Sequence, residues 1–464
     1  MKQILLVFLT MVYFGAIAQQ NDELLKVCTA GNLAEVKTWV EKGADVNYSG
    51  ATGTPLSCSI FYPEIVQYLI GKGAKANEGS YPPLVMACLY GSPDVVKALL
   101  DGGADPNKAA VTDISAGIQK MIDDEKAKGK KADKNMIKAW QGMVDKMKAN
   151  PVTTYAMTNL VTNTNCLECM KMIADKGAKT DVINTISGAN LLSDFATSGR
   201  SKKARTEYNK VLAAALEKYG MTIPEWYKNP DESKMASPDE IVKFLVSKGV
   251  DINAKNSLKN TPLMDALVVI PSIVQPEVIL AMINNGSAVN IESVVYGKPL
   301  LIAAGNGQVD VMDALLAKGA NINDEFYVED MTTGQSLKGI TLLMWAASND
   351  QLDAVKFLIS KGADLGGAAH GRSLNKKTKC VTKVEGKNAM YYAIESGNID
   401  IVKALLDTGH YWGKAFVTKE MKNEQNIGVL TFTTCFEIGG YIPSKYAKAL
   451  GYPEIQALLK SKLI

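Results

Sequence analysis

A five-residue string that recurs along the chain constrains its fold more than any other feature. Gly43-Ala44-Asp45-Val46-Asn47 returns as Gly73-Ala74-Lys75-Ala76-Asn77, Gly103-Ala104-Asp105-Pro106-Asn107 and Gly177-Ala178-Lys179-Thr180-Asp181, and again at Gly249, Gly286, Gly319 and Gly362. Its clearest copy is Gly319-Ala320-Asn321-Ile322-Asn323. Apolar patterns of helical period precede it, as in EVKTWVEKG, EIVKFLVSKG and AVKFLISKG. Glycine just past such a segment marks a helix C-terminus, because a residue without Cβ enters the left-handed region cheaply. A chain of 464 residues would otherwise be read as about three globular domains; the repeated terminator makes it an array of small helical units.

A second signature lies upstream of several of these helices: Thr54-Pro55-Leu56, Pro82-Pro83-Leu84, Thr261-Pro262-Leu263 and Lys298-Pro299-Leu300, the last leading into Ile302-Ala303-Ala304. Proline in the first turn starts a helix, and the small residues let two helices approach closely. Gly286 to Gly319 is 33 residues, and Lys298 to Gly319 is 21. With two motifs at a fixed mutual distance over most of the chain, the sequence resembles the ankyrin repeat, a turn plus two antiparallel helices with a Thr-Pro-Leu-His-x-Ala pattern. Units end near Gly43, Gly73, Gly103, Gly177, Gly249, Gly286, Gly319, Gly362 and Gly409, and a final one runs from Ile442-Pro443 to PEIQALLKSK. The family's histidine is replaced throughout, by Val85, Met264, Leu301, Met344 and Tyr391 among others.

Long intervals are where the chain departs from the family. Residues 108–150 carry Ile114, Ile118, Met121 and Ile122, then Met136, Trp140, Met143 and Met147, around the lysine-rich KAKGKKADK, which predicts two elongated helices forming a degenerate unit. Residues 188–253 read as two irregular units with Gly220 as an extra terminator, for ten to twelve units in all. In 324–338, 365–385 and 410–441, EFYVED, KCVTKV and VLTFTTCF alternate or are β-branched, and predict β-hairpin fingers stacked along one edge. The expected fold is mainly all-α, an ankyrin-repeat solenoid of stacked helix-turn-helix units with extended fingers in its C-terminal half. Its organisation is 19–107 (N-terminal repeats), 108–253 (irregular repeats with helical insertions) and 254–464 (C-terminal repeats with fingers).

Residues 1–18 read as a signal peptide: Lys2 is followed by an apolar run from Ile4 to Ala18 that ends in Ala16-Ile17-Ala18, and is too short to span a bilayer. The expected mature protein is exported, periplasmic or secreted, with no transmembrane segment, and is a monomer. Export puts seven cysteines in a compartment that permits disulfides. Cys166-Leu167-Glu168-Cys169 is a CxxC, read as a local structural disulfide or buried cysteine ahead of a redox centre, because no βαβ context surrounds it. Cys380 and Cys435 fall in neighbouring fingers and form a candidate disulfide. Cys28 and Cys88, three residues before an interhelix glycine, read as small core residues.

Charge and residue usage exclude several chemistries. Lys+Arg 51 against Asp+Glu 48 gives +3, too balanced for a nucleic-acid partner along the chain. Only Arg200, Arg205 and Arg372 are arginines, so bidentate phosphate or guanine recognition has few candidates. Local excesses of lysine in 108–150 and 365–385 read as solvated faces ahead of sites for an acidic partner. With His370 and His410 the only histidines, no metal site is expected; no cofactor motif and no catalytic constellation stands out, and the chain is read as non-enzymatic.

What the resemblance implies is protein binding. In ankyrin proteins the position after the histidine commonly looks onto a concave groove, and here Met86, Ile302, Trp345, Tyr392 and Tyr446 occupy it. Four consecutive units thus line up Ile302, Trp345, Tyr392 and Tyr446, with Phe326, Tyr327, Tyr411 and Trp412 at the finger roots. Aromatic rows of this kind anchor protein partners, or else are core covered by the fingers. The expected function is a partner-binding scaffold or regulator, with thiol-disulfide activity at Cys166 and Cys169, or inhibition of an envelope or host enzyme, as the alternatives.

Overall fold

The computed structural model describes residues 19–462 apart from 80, 113–114, 130–132, 150, 185–186, 219–220, 270–274, 294–295, 331–334, 375–380, 411, 413–416 and 420–441. The expected signal peptide, Gly220, Cys380, Cys435 and Tyr411 therefore lie outside the described residues. The chain divides after Ser287 into two compact units.

Short helix pairs build the N-terminal unit. They are α1 (residues 19–30) with α2 (Leu33–Glu41), α3 (Pro55–Cys58) with α4 (Pro63–Gly71), and α5 (Pro83–Tyr90) with α6 (Pro93–Asp101). Then come strand β1 (Ala110–Thr112), helices α7 (Ala116–Ala127) and α8 (Lys134–Ala149), and strand β2 (Val152–Thr154). α9 (Ala156–Asn163) pairs with α10 (Leu167–Asp175). α11 (Leu191–Ser198) is followed by α12 (Lys202–Glu217), α13 (Glu225–Lys228) and α14 (Pro238–Ser247), and α15 (Pro262–Val268) pairs with α16 (Pro276–Asn284). First helices stack in the order α3, α5, α9, α11, α15, while α2, α4, α6 and α10 form a second row and α14 packs on α16.

The local causes are those the motifs implied. Pro55, Pro83 and Pro262 sit in the first turns of α3, α5 and α15, and the Thr54 and Thr261 hydroxyls accept from the third N–H of the helix that each precedes. The terminating glycines are left-handed, from φ +69° at Gly409 to +103° at Gly286. The asparagine that closes the motif bridges to the next repeat: Asn77 Nδ2 donates to Gly103 O at 2.9 Å, and Asp105 N donates to Asn77 Oδ1 at 2.7 Å. Asn47 makes the same pair of bonds to Gly73 and Lys75. Where the family's histidine would stand, Val85, Met264, Leu301, Met344 and Tyr391 are buried apolar or aromatic side chains.

This bridge corrects the reading of both long intervals. Asn107 reaches Gly177 O at 2.9 Å and accepts from Lys179 N at 2.8 Å, the geometry of a single repeat step. Residues 108–150 are thus an excursion, not a unit of the stack: β1 and β2 form an antiparallel ribbon, pairing Ala110 with Thr154, and α7 and α8 pack on each other beyond it. Likewise 188–253 holds one repeat, not two. Its helices are α11 and α14, and α12 with α13 is inserted between them; the repeat is clasped by Thr180 Oγ1 donating to Lys248 O at 3.0 Å. A helical period reports that a segment folds as helix, but not which row it joins.

The C-terminal unit contains α17 (Pro299–Gly305) with α18 (Val309–Ala317), then strands β3 (Glu325–Asp330) and β4 (Gln335–Thr341). It continues with α19 (Leu342–Ser348) and α20 (Leu352–Ser360), strands β5 (Ala369–Leu374) and β6 (Val381–Lys387), and α21 (Ala389–Ser396) with α22 (Ile399–Leu406). Strand β7 (Val417–Lys419) precedes α23 (Pro443–Leu450) and α24 (Pro453–Ser461). The strands form one antiparallel sheet in the order β3-β4-β5-β6-β7, so the first two fingers stand side by side as EFYVED and KCVTKV implied, with β7 along their edge; VLTFTTCF lies outside the described residues. β4 reaches β5 closely because Gly371, at φ +134°, has no Cβ, which would fall 2.1 Å from Ser336 O.

Candidate functional site

Groove-position side chains in the C-terminal unit lie in the first helices, one per repeat. Ile302 in α17 and Trp345 in α19 are half-buried. The Trp345 indole lies over the end of α17: a Cβ on Gly305 would stand 2.5 Å from its Nε1. Glycine there leaves room for the ring to lean across the repeat boundary.

Tyr392 and Tyr446 are covered. Each is only 6% exposed, Lys387 Nζ lies 4.1 Å from the Tyr392 ring centre, and Tyr446 meets Tyr391 edge-on at 5.6 Å. Lys387 ends β6 and is itself 1% exposed; its ammonium donates to Glu395 Oε2 at 2.6 Å, and the Tyr446 hydroxyl donates to Glu395 Oε1. Glu395 lines a small cleft of about 350 Å³ with Ser348, Asn349, Asp350 and Ser396. Burial raises the Tyr392 phenol, whose hydroxyl has no hydrogen-bond partner among the described residues.

The finger-root residues divide in the same way. Phe326 is buried, and Tyr327, next to it, is 52% exposed. The register shifts between Phe326 and Val328, and that bulge turns Tyr327 outward, where its hydroxyl meets Ser336 Oγ at 3.2 Å. Trp412 is 0% exposed and its indole donates to Leu405 O at 2.9 Å. Of the side chains expected to meet a partner, Tyr392, Tyr446, Phe326 and Trp412 are therefore core in the isolated chain. Different neighbours cover them: Lys387 of β6 lies over Tyr392, Tyr391 and Glu395 of α21 meet Tyr446, and the end of α22 takes the Trp412 indole. Ile302, Trp345 and Tyr327 remain presented.

The Lys387–Glu395–Tyr446 cluster escaped the sequence reading, since its members come from a strand and two repeats. A lysine ending a β-like segment, eight residues before a glutamate, was the one signal present.

In two repeats of the N-terminal unit the equivalent position is acidic. Asp194 in α11 and Asp265 in α15 sit where the C-terminal unit has Ile, Trp and Tyr. Burial raises the Asp194 carboxyl to about 6, with the Asp265 charge adding and the Asn184 hydrogen bond opposing. Asp265 is raised in the same way, and Asn256 Nδ2 donates to both its oxygens, at 3.0 and 2.9 Å. Because the folded pKa of Asp194 lies above the unfolded value of about 3.9, ionisation disfavours the fold. That penalty is absent below about pH 4, grows as pH rises to about 6 and is full above it. Asp194→Asn is thus expected to stabilise the unit by about 1–2 kcal/mol at pH 7.5 and to be neutral at pH 4, discounted for partial exposure; urea titrations across that range measure it.

The Cys166–Cys169 disulfide is formed. Cys166 caps α10 and lies against Gly91, where Tyr62 lies against Gly31 in an earlier repeat, so it fills a structural position of the stack. Cys28 and Cys88 are buried thiols, and burial pushes Cys28 up to about 12, far from a reactive thiolate. Among the described residues, no helix is long and apolar enough to cross a membrane, and no group of three or more His, Cys, Asp or Glu could hold a metal ion.

Paired helices in rows, with one side chain per repeat at a shared position, define a repeat scaffold that offers its surface to another protein. The family model for ankyrin repeats (3 copies) matches residues 24–110, 234–326, 272–369 and 326–415. These stretches exceed half of the chain, which belongs to the ankyrin-repeat family, a scaffold for protein–protein interaction. No curated protein matches it.

Proposed function

We propose that the chain is exported and binds a protein partner in the cell envelope or outside the cell through Ile302, Trp345 and Tyr327 of its C-terminal unit. The observation that carries the reading is Trp345: a tryptophan at the groove position of α19, half-open and seated by Gly305. Tryptophan and tyrosine combine large area with a polar tip and few rotamers, the properties of binding anchors. Tyr327 adds a second anchor on β3, whose partner strand β4 runs directly into α19. The apolar run ending at Ala18 supports export, and the mature protein is then expected to begin at Gln19 by intact mass.

A photo-crosslinking residue at 327 or 302 is expected to capture one protein in the native cell envelope or medium, and one at exposed Val211 is not. With that protein purified, Trp345→Ala and Tyr327→Ala should each weaken binding about tenfold or more. For Tyr327→Ala the melting temperature should stay unchanged. Equal capture at all three positions, or full affinity in both variants, overturns the assignment.

A further inference from the structure

The N-terminal unit holds a second cleft, of about 640 Å³, at the starts of α4, α6 and α10. It exists because α12 and α13 are inserted there: Arg205 and Asn209 of α12 and Trp226 of α13 form part of its lining. Phe61 and Tyr90 add an aromatic wall, their rings 4.5 Å apart, with Trp226 6.2 Å from Phe61. This cleft belongs to neither the groove row nor the fingers.

Arg205 is the group that calls for a ligand. It is 1% exposed, with Nε donating to Asn165 Oδ1 at 3.1 Å and Nη2 to Thr162 O at 3.2 Å. Nη1 has no partner among the described residues, and the guanidinium has no carboxylate in ion-pair contact. Its charged neighbour is Arg200, and the tyrosines Tyr208 and Tyr227 lie near it. One turn along the helix, Asn209 donates to Tyr227 O while its Oδ1 is unpartnered. A buried, unpaired cation is far costlier than the hydrogen bonds around it return. The same chain uses lysine at almost every other basic position, and a guanidinium differs from lysine in its planar fork, which fits a carboxylate.

The remaining lining narrows the ligand. α4, α6 and α10 turn their positive ends toward the cleft, and each is nine residues long. Their first-turn acids Glu64, Asp94 and Glu168 leave the rim net negative, with Asp231 paired to Lys234 at 3.8 Å, and disfavour a polyanion. We propose that the cleft binds a single carboxylate through Arg205, with an apolar or aromatic side chain beside it on Phe61, Tyr90 and Trp226. An ammonium or basic group of the same ligand would face the acidic rim. A peptide C-terminus and a free hydrophobic amino acid share this chemistry.

Calorimetry on the full mature chain tests it, with acetyl-Gly-Gly-Leu and acetyl-Gly-Gly-Phe as free acids and as amides, and with free leucine and phenylalanine. The free acids, or the amino acids, are expected to bind at least tenfold more tightly than the amides. Arg205→Lys should remove that preference; if it does not fold, Trp226→Ala, at a 37% exposed wall position, should weaken the acids instead. Peptides binding more tightly than amino acids identify a chain end as the ligand, and the reverse order identifies the small molecule. Acid and amide binding alike, or no binding by any of the six at millimolar concentration, overturns the proposal. None of these outcomes depends on the groove of the C-terminal unit.

Discussion

Glu395→Ala is expected to destabilise the C-terminal unit by about 3–4 kcal/mol, because it leaves the Lys387 ammonium buried without its anion. Lys387 is 1% exposed and its ammonium makes a 2.6 Å ion pair with Glu395. The Tyr446 hydroxyl loses its acceptor in the same variant. Removing both charges is a different matter: Lys387→Met with Glu395→Gln should recover most of the loss, since an apolar chain of similar length fits the same space. A double-mutant cycle by urea denaturation measures the coupling. A loss below about 1 kcal/mol in Glu395→Ala would show that Lys387 escapes to solvent, as surface pairs permit. Tyr392 would then be open to a partner after all.

Trp412→Ala should cost about 3–5 kcal/mol, the range for truncating a buried aromatic side chain. The indole also satisfies Leu405 O, one of the last carbonyls of α22. Trp412→Phe keeps most of the apolar area and loses only the indole's hydrogen bond to a carbonyl that still accepts from Thr408 Oγ1 at 2.6 Å, so about 1 kcal/mol is expected from it. Thermal melts of the two variants give the order. An exposed binding anchor would behave otherwise, with both substitutions within about 0.5 kcal/mol of wild type.

Much of the repeat architecture was legible because its signals are local. Gly43, Gly73 or Gly319 ends a helix whatever surrounds it, since the left-handed backbone is a property of the residue itself. Pro262 and Thr261 start one for equally local reasons. EFYVED reads as a strand and is β3. The miscounted intervals had the same local signals, and there they did not suffice. α8 and α12 are amphipathic helices like any other, and their sequences do not say that Asn107 would bridge past one insertion to Gly177, or that Thr180 would bridge past the other to Lys248.

The groove stripe shows the same division more sharply. Position in the repeat placed Ile302, Trp345, Tyr392 and Tyr446 in equivalent places, but not their exposure. Whether a side chain is open depends on how the neighbouring elements fold against it, as the end of β6 does over Tyr392. Arg205 is the opposite case: its rarity in a lysine chain was visible from the start, and its meaning was not.

By itself, then, the sequence determined where helices start and stop, which family they form and which residues share a register. Those properties follow from backbone preference and periodicity within a few residues. Tertiary structure alone decided which segments are insertions, which aromatics are core, and that Arg205 is buried without an anion. Each of these depends on burial and on contacts between different elements, and contacts of that kind leave no periodic trace in the chain.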